Sequence, residues 1–595
     1  MHVVTTAGHV DHGKSALVRA LTGMEPDRWE EERRRGLTLD LGFVWTDLPG
    51  GGTVAFVDVP GHERLVGNML AGVGPVPAVL LVVAADQGWQ PQSEEHLAVL
   101  DALRVRHGVL AVTRSDLADP APVREDALAR IAETSLGKVE AVAVSSVTGE
   151  GLDELRAALV RLTAALPAPD RDADVRLWVD RSFTVRGRGT VVTGTLAAGT
   201  LRTGDRLDLA AASAAGGTAV RVRGLQSLKR DRAEAGAVAR VAVNVHGVAA
   251  DAVRRGDALL TPGRWSATAL VDVRLHGSEA PAAADLPRQP VLHAGSAAVP
   301  VTVRPLGRDT ARLTLARPLP LRVGDIALLR DPGGHRIPAG LTVLDVRPPK
   351  LARRGAGRAR ARELETVTGR PDGAAELRRR GLVRRAELLA MGVPAVAEPV
   401  AGDWLADPAH WADLRRRLAG VVEEHAAGHP MDPGLPVEAA RRALGLPDRA
   451  LVRALVRTAG GPALEQRDGR LYGRGTRPSL PPKLRAAVDA VRGELDRAPF
   501  RAPEAHRLAE LGLTPAAVAA AVAAGALLRI GDGIVLLPGA DERAAAVLAR
   551  LAQPFTTSEA RRALDTTRRV AVPLLEHLDA RGLTVRLDGT RRRCR

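Results

Sequence analysis

The chain holds one cysteine, Cys594, next to its last residue. A disulfide within the chain is excluded, and this usage fits a reducing compartment, so a cytoplasmic protein is expected. Aromatic residues make up only 2%, and lysines are scarce beside arginines. That skew, with its abundant alanine, fits GC-rich codons, so much of the arginine excess needs no functional cause. The longest apolar runs are strand-length and no charged-then-apolar leader opens the sequence, so no membrane association is expected. Acidic residues do not balance basic ones. The formal charge is +15, which favours an anionic partner, nucleic acid first. At 595 residues and 45% hydrophobic content, the chain is too long for one core and is read as multidomain.

Near the start stands Gly8-His9-Val10-Asp11-His12-Gly13-Lys14-Ser15. It is a G-x-x-x-x-G-K-[ST] phosphate loop, between a strand over Val3 to Thr6 and a helix from about Ser15 to Gly23. Such a loop turns successive N–H groups toward phosphates and needs glycine where side chains would block the approach. Lys14 is placed to reach the β- and γ-phosphates and the Ser15 hydroxyl to bind Mg²⁺. The following helix adds its positive end to the anion site.

Further segments narrow the ligand to a guanine nucleotide. Val54 to Val57 lead into Asp58-Val59-Pro60-Gly61-His62. There Asp58 can hold Mg²⁺ through water and Gly61 can offer its N–H to a γ-phosphate. The apolar run Ala78 to Ala85 suits a strand buried on both faces. Gly108 to Val112 lead into Thr113-Arg114-Ser115-Asp116. A carboxylate there can accept both N1–H and N2–H of guanine, a donor pair that adenine lacks. Val139 to Val144 lead into Ser145-Ser146, again at a strand end, where open parallel sheets place their ligands. Between the phosphate loop and the second strand lies Arg35-Gly36-Leu37-Thr38-Leu39-Asp40, whose threonine can close over Mg²⁺ and the γ-phosphate.

This order and spacing resembles the translational GTPases. The resemblance implies that Thr38 binds Mg²⁺ only in the GTP state. It also implies that His62 is the catalytic residue, orienting the attacking water on the ribosome. One departure matters. The family's guanine-reading motif is usually Asn-Lys-x-Asp, and here Thr113 and Arg114 fill its first two places. Asp116 keeps base selection, and Arg114 can stack on the base as a lysine stem would. Loss of the Asn amide is expected to weaken the link between base loop and phosphate loop, giving modest affinity and easy release of GDP.

After a Pro/Asp joint at Leu166 to Arg171, short alternating segments with glycine turns read as two antiparallel barrels. GTPase plus two barrels resembles elongation factor Tu, and Phe183 to Leu196 (FTVRGRGTVVTGTL) is similar to its first barrel. Asp180, Arg181 and Arg240 lie in that barrel. They read either as a surface ion pair of little worth or as an aminoacyl pocket with fixed positive charge. A selenol is largely anionic at neutral pH and serine's hydroxyl is neutral. Such a pocket could therefore separate selenocysteyl-tRNA from seryl-tRNA.

Beyond Pro348-Pro349 the sequence is Arg-rich and helical, with glycine turns and small β pairs. The expected architecture is an α/β P-loop GTPase domain over 1–168, Tu-like β-barrels over 169–263 and 264–350, then α+β tandem winged helices. The latter are a linker with the first winged helix over 351–430, and three more over 431–478, 479–540 and 541–595. In the last, a helix over Ala560 to Leu564, a longer one over Arg568 to Arg581 and a hairpin over Leu583 to Arg593 make helix-turn-helix plus wing. Pro573 is expected to kink the longer helix or move its start. The RNA contacts would be Arg568, Arg569, Arg591, Arg592 and Arg593. The first two units are read as spacers.

With both ends in view, the chain resembles the bacterial SelB-type selenocysteine-specific elongation factors. That resemblance implies a monomer that uses GTP/GDP and Mg²⁺ and binds selenocysteyl-tRNA. It also implies a tail that binds a SECIS hairpin in the mRNA, and a ribosome where the tRNA is delivered at UGA and GTP is hydrolysed. Two other readings stay open: a Tu-like regulatory GTPase of metabolism, as in sulfate activation, and a nucleic-acid-binding GTPase regulator.

Overall fold

The computed structural model describes residues 1–26, 41–59, 76–211, 217–277, 280–331, 333, 336–458, 464–476 and 480–595. Thr38, Gly61 and His62 lie outside the described residues. Contacts divide the chain into two compact units: Met1–Glu376 with Arg384–Val396, and Leu377–Val383 with Ala397–Arg595. Among the described residues no helix is long and apolar enough to cross a membrane.

The first unit opens with β1 (His2–Ala7), α1 (Lys14–Thr22), β2 (Gly42–Leu48), β3 (Gly52–Asp58) and β4 (Ala78–Ala84). It continues with α2 (Pro91–Ala102), β5 (His107–Thr113), α3 (Ala121–Ala132), β6 (Glu140–Ala143) and α4 (Leu152–Ala164). The strands form one sheet in the order β2-β3-β1-β4-β5-β6. It is parallel except for β2, which pairs antiparallel with β3. Every residue of β4 is buried, as its unbroken apolar run requires of a strand covered on both faces. Leu97, Leu100 and Ile131 of α2 and α3 share one core, and Leu17, Leu155 and Leu159 of α1 and α4 the other.

Two β modules follow. Between Arg176 and Leu260 eight strands build one antiparallel sheet and two more, Thr200–Arg202 and Glu234–Gly236, pair separately; the strands between Thr268 and Asp345 build a closed six-stranded barrel. The long strand Thr218–Ser227 alternates buried Val220 and Val222 with exposed Arg221 and Arg223, and shifts register at Val222/Gly224. The helix Ala356–Glu365 is bolted to the closed barrel by charge. Buried Arg360 donates to Asp272 at 2.7 Å and to Asp345 at 2.5 Å, and Arg312 shares Asp272 at 2.6 Å.

In the second unit, Leu435–Pro436, Val437–Leu444, Arg449–Arg457, Leu464–Arg467 and Arg470–Gly473 make a complete winged helix with a three-stranded wing. Trp411, Leu414 and Leu418 of the long helix Pro408–Gly428 pack into its core. Ala406 belongs to the same core, with Leu382, Val400 and Trp404 packed against it, so this core crosses the boundary expected at 430–431. The last two winged helices also share one core, in which Leu495, Val535, Phe555 and Leu574 are buried. The last unit has the expected order: Thr557–Ala563, Arg568–Ala580, then strands Thr584–Arg586 and Arg591–Cys594. The helix Arg568–Ala580 runs through Pro573 without a break. Its buried Val570, Ala571, Leu574, Leu575 and Leu578 hold it in place, so packing outweighs one missing ladder bond.

Candidate functional site

The phosphate loop lies between β1 and α1, and its shape is set by glycine. A Cβ on Gly8 (φ +132°) would sit 2.1 Å from the Val82 carbonyl oxygen. Gly13 is left-handed (φ 82°) and starts α1. Lys14 is buried and donates to the carbonyls of Gly8 at 3.0 Å and His9 at 2.7 Å. Burial draws its ammonium down to about 8, against the upward pull of Asp58 and Asp11. Ser15 donates its hydroxyl to Asp58 Oδ2 at 2.6 Å, and Thr6 donates to Oδ1 at 2.7 Å. The pair Ser15 and Asp58 thus offers two hard oxygens at one point, a donor set that fits Mg²⁺.

The loop is braced from outside the motif. The Gly8 N–H donates to His96 Nδ1 at 2.9 Å and the Val10 N–H to Gln92 Oε1 at 2.9 Å, both on α2. His96 is fully buried, and burial lowers its imidazole to about 3, so it accepts as the neutral ring. Sequence reasoning missed both residues. Their only signal is a four-residue spacing on a helix eighty residues away.

The base loop departs from expectation. Thr113 Oγ1 donates to the His12 carbonyl at 2.7 Å. Arg114, left-handed at φ 57°, donates to the Asp11 carbonyl and at 2.8 Å to Asp86. The link expected to weaken without the Asn amide is therefore remade by a hydroxyl and a guanidinium. Asp116 is exposed, Ser145 is buried, and Ser146 is half-buried. Ser145 accepts from the N–H groups of Val147 at 3.2 Å and Thr148 at 3.1 Å. Beside these residues in sequence stand two large apolar side chains in water, Leu117 (64% exposed) and Val147 (88%). Aliphatic side chains at the tips of these two loops suit the flat faces of a base.

In the first β module, Asp180 and Arg240 form a buried bidentate pair, with Thr193 donating to Asp180 at 2.6 Å. Arg181 donates to the Leu41 carbonyl at 2.5 Å. This corrects the expected charge. Arg240 is matched by the Asp180 carboxylate, so it does not stand as an unpaired positive charge. On the same module a cavity of about 640 Å³ has Phe183, Val185 and Leu225 among its lining, with Arg188, Arg223 and Arg232 beside them.

The five arginines of the last winged helix do not form one face. Arg568, Arg591 and Arg593 are exposed. Arg592 is buried, donating to Asp579 at 2.9 Å and Thr557 at 3.3 Å. Strand alternation turns it inward between its exposed neighbours. Arg569 is half-buried and donates to the carbonyls of Ala502 at 2.8 Å and Pro503 at 3.0 Å.

A model of the elongation factor Tu GTP-binding domain matches residues 1–165, and one of the elongation factor SelB winged helix matches 546–593. The selenocysteine-specific elongation factor of Desulfomicrobium baculatum is 35% identical over 392 residues, 64% of this chain and 61% of that protein. That of Escherichia coli (strain K12) is 33% identical over 484 residues, 76% of this chain and 75% of that protein. The crystal structure of a bacterial selenocysteine-specific elongation factor matches over 100% of both chains with a TM-score of 0.74, at 24% identity, a likeness of fold. On the alignment to three quarters of the Escherichia coli protein, the chain belongs to the family of selenocysteine-specific elongation factors, which are translational GTPases.

Proposed function

We propose that this chain uses GTP to carry selenocysteyl-tRNA to ribosomes paused at UGA, guided by a SECIS hairpin in the mRNA. The observation that carries the reading is the union, in one chain, of a braced phosphate loop with its Ser15–Asp58 oxygen pair and a terminal winged helix with exposed arginines. Lys14 and the loop N–H groups offset phosphate charge. Asp116 takes the guanine edge, with Leu117 and Val147 on its faces. Ser15 and Asp58, with Thr38, would hold Mg²⁺, which supplies charge neutralisation at the β- and γ-phosphate oxygens. His62 orients the attacking water on the ribosome, so hydrolysis by the free protein is slow.

Cargo choice rests on charge. Arg181, beside the matched Asp180–Arg240 pair, favours a selenolate over a neutral hydroxyl. The cavity lined by Phe183, Val185 and Leu225 with Arg188, Arg223 and Arg232 suits the nucleoside at the end of the tRNA. Arg568, Arg591 and Arg593 hold the hairpin. The test is affinity for selenocysteyl-tRNA and seryl-tRNA with GTP bound. A preference of at least tenfold for the first is expected, and equal affinities would refute the assignment.

A further inference from the structure

The second winged helix carries a basic face that the function above does not use. Its second helix, Arg449–Arg457, reads RALVRALVR. Leu451, Val452, Ala454 and Leu455 are buried, which turns Arg449, Arg453 and Arg457 outward, all exposed. Four-residue spacing puts them on one stripe, about 6 Å apart along the axis. Like charges at this spacing oppose the helix. Other arginines of the same unit avoid that penalty. Arg441 and Arg442 sit on Glu438, Arg416 on Asp413, Arg467 on Glu465 and Arg470 on Asp432. Among the described residues, no ion pair engages Arg449, Arg453 or Arg457. Asp448, the nearest acid in sequence, caps the Ala450 N–H instead.

The corresponding helix of the last unit, Arg568–Ala580, is less basic. It carries Glu576 and Asp579, and its Arg569 is turned onto the carbonyls of Ala502 and Pro503. The spacing of the three free guanidiniums is comparable to that of successive phosphates on one strand. On an A-form stem, whose deep and narrow major groove keeps guanidiniums from base edges, such a stripe would grip backbone without regard to sequence. It has no exposed apolar anchor of the kind that a protein partner needs. A-form RNA, whose major groove hides its bases, is recognised in this way.

We infer that the helix Arg449–Arg457 is a second RNA-binding face, which takes the phosphate backbone of the stem of the mRNA hairpin held by the last winged helix. This rests on the hairpin reading above. The test uses the full chain and two hairpins from a UGA-containing message, one with its whole stem and one cut back toward the tip. Arg449→Ala, Arg453→Ala and Arg457→Ala together should weaken binding of the long hairpin about 10- to 100-fold. They should also lower the slope of log affinity against log salt by about 2–3. Binding of the short hairpin should not change, and the triple lysine variant should keep the slope.

An unchanged slope on the long hairpin overturns the inference. So does an equal loss on both hairpins shared by the lysine variant, which marks structural damage. If the unaltered chain binds neither hairpin, the hairpin reading itself falls. If it binds both hairpins with the same salt slope, only the stem contact falls.

Discussion

At the phosphate loop the decisive groups are backbone N–H and a single lysine, held by carbonyls in a buried frame. In the last winged helix they are arginines of one type and nearly one place in sequence, yet with different fates. Lys14, Ser15, Asp58, Thr113 and Arg114 converge on one loop or its braces. Of the five tail arginines, Arg569 and Arg592 serve the fold while Arg568, Arg591 and Arg593 face water. Where function needs a backbone path, motif and geometry coincide. Where function needs surface charge, residue type alone does not separate a contact from a brace.

The largest expected effect lies at the backbone end. Gly8→Ala forces a Cβ to 2.1 Å from the Val82 oxygen in a left-handed conformation. Strain and overpacking together should cost about 2–6 kcal/mol, read as a lower urea midpoint with loss of GTP binding. Normal stability would break the comparison. Next comes a pair in the tail. Arg592→Ala removes a buried guanidinium that donates to half-buried Asp579 and to Thr557, and should destabilise the last unit by about 1–3 kcal/mol. Arg591→Ala should leave the melting transition in place and lower the salt slope of hairpin binding by about 1. Reversed outcomes would mean that inner and outer arginines were exchanged.

The smallest effect tests the remade base-loop link. Thr113→Val removes the hydroxyl that donates to the His12 carbonyl. Release of a fluorescent GDP should quicken by about tenfold, the equivalent of 1–2 kcal/mol. Thr113→Asn should not quicken it. An unchanged rate for the valine variant would leave Arg114 as the sole tie.

The strands of the parallel sheet, their functional ends and the last helix-turn-helix were legible because apolar runs and glycine turns act over a few residues. The fate of individual arginines was not: Arg240 is buried against Asp180, 60 residues away, rather than paired at the surface, and Arg569 is spent on the Ala502 carbonyl, 67 residues away. No local pattern encodes such pairings. The core that crosses 430–431 is hidden for a related reason. An apolar stripe declares that a helix packs, but not whether its partner precedes or follows it. Leu117 and Val147 escaped notice because single apolar residues in turns carry no periodic signal.

The bonds from Gly8 to His96 and from Val10 to Gln92 make the phosphate loop dependent on α2. The nascent chain therefore emerges with its most recognisable motif still slack. Competence for nucleotide begins only once residues beyond Ala102 have left the exit tunnel and the helix has closed over the loop from behind.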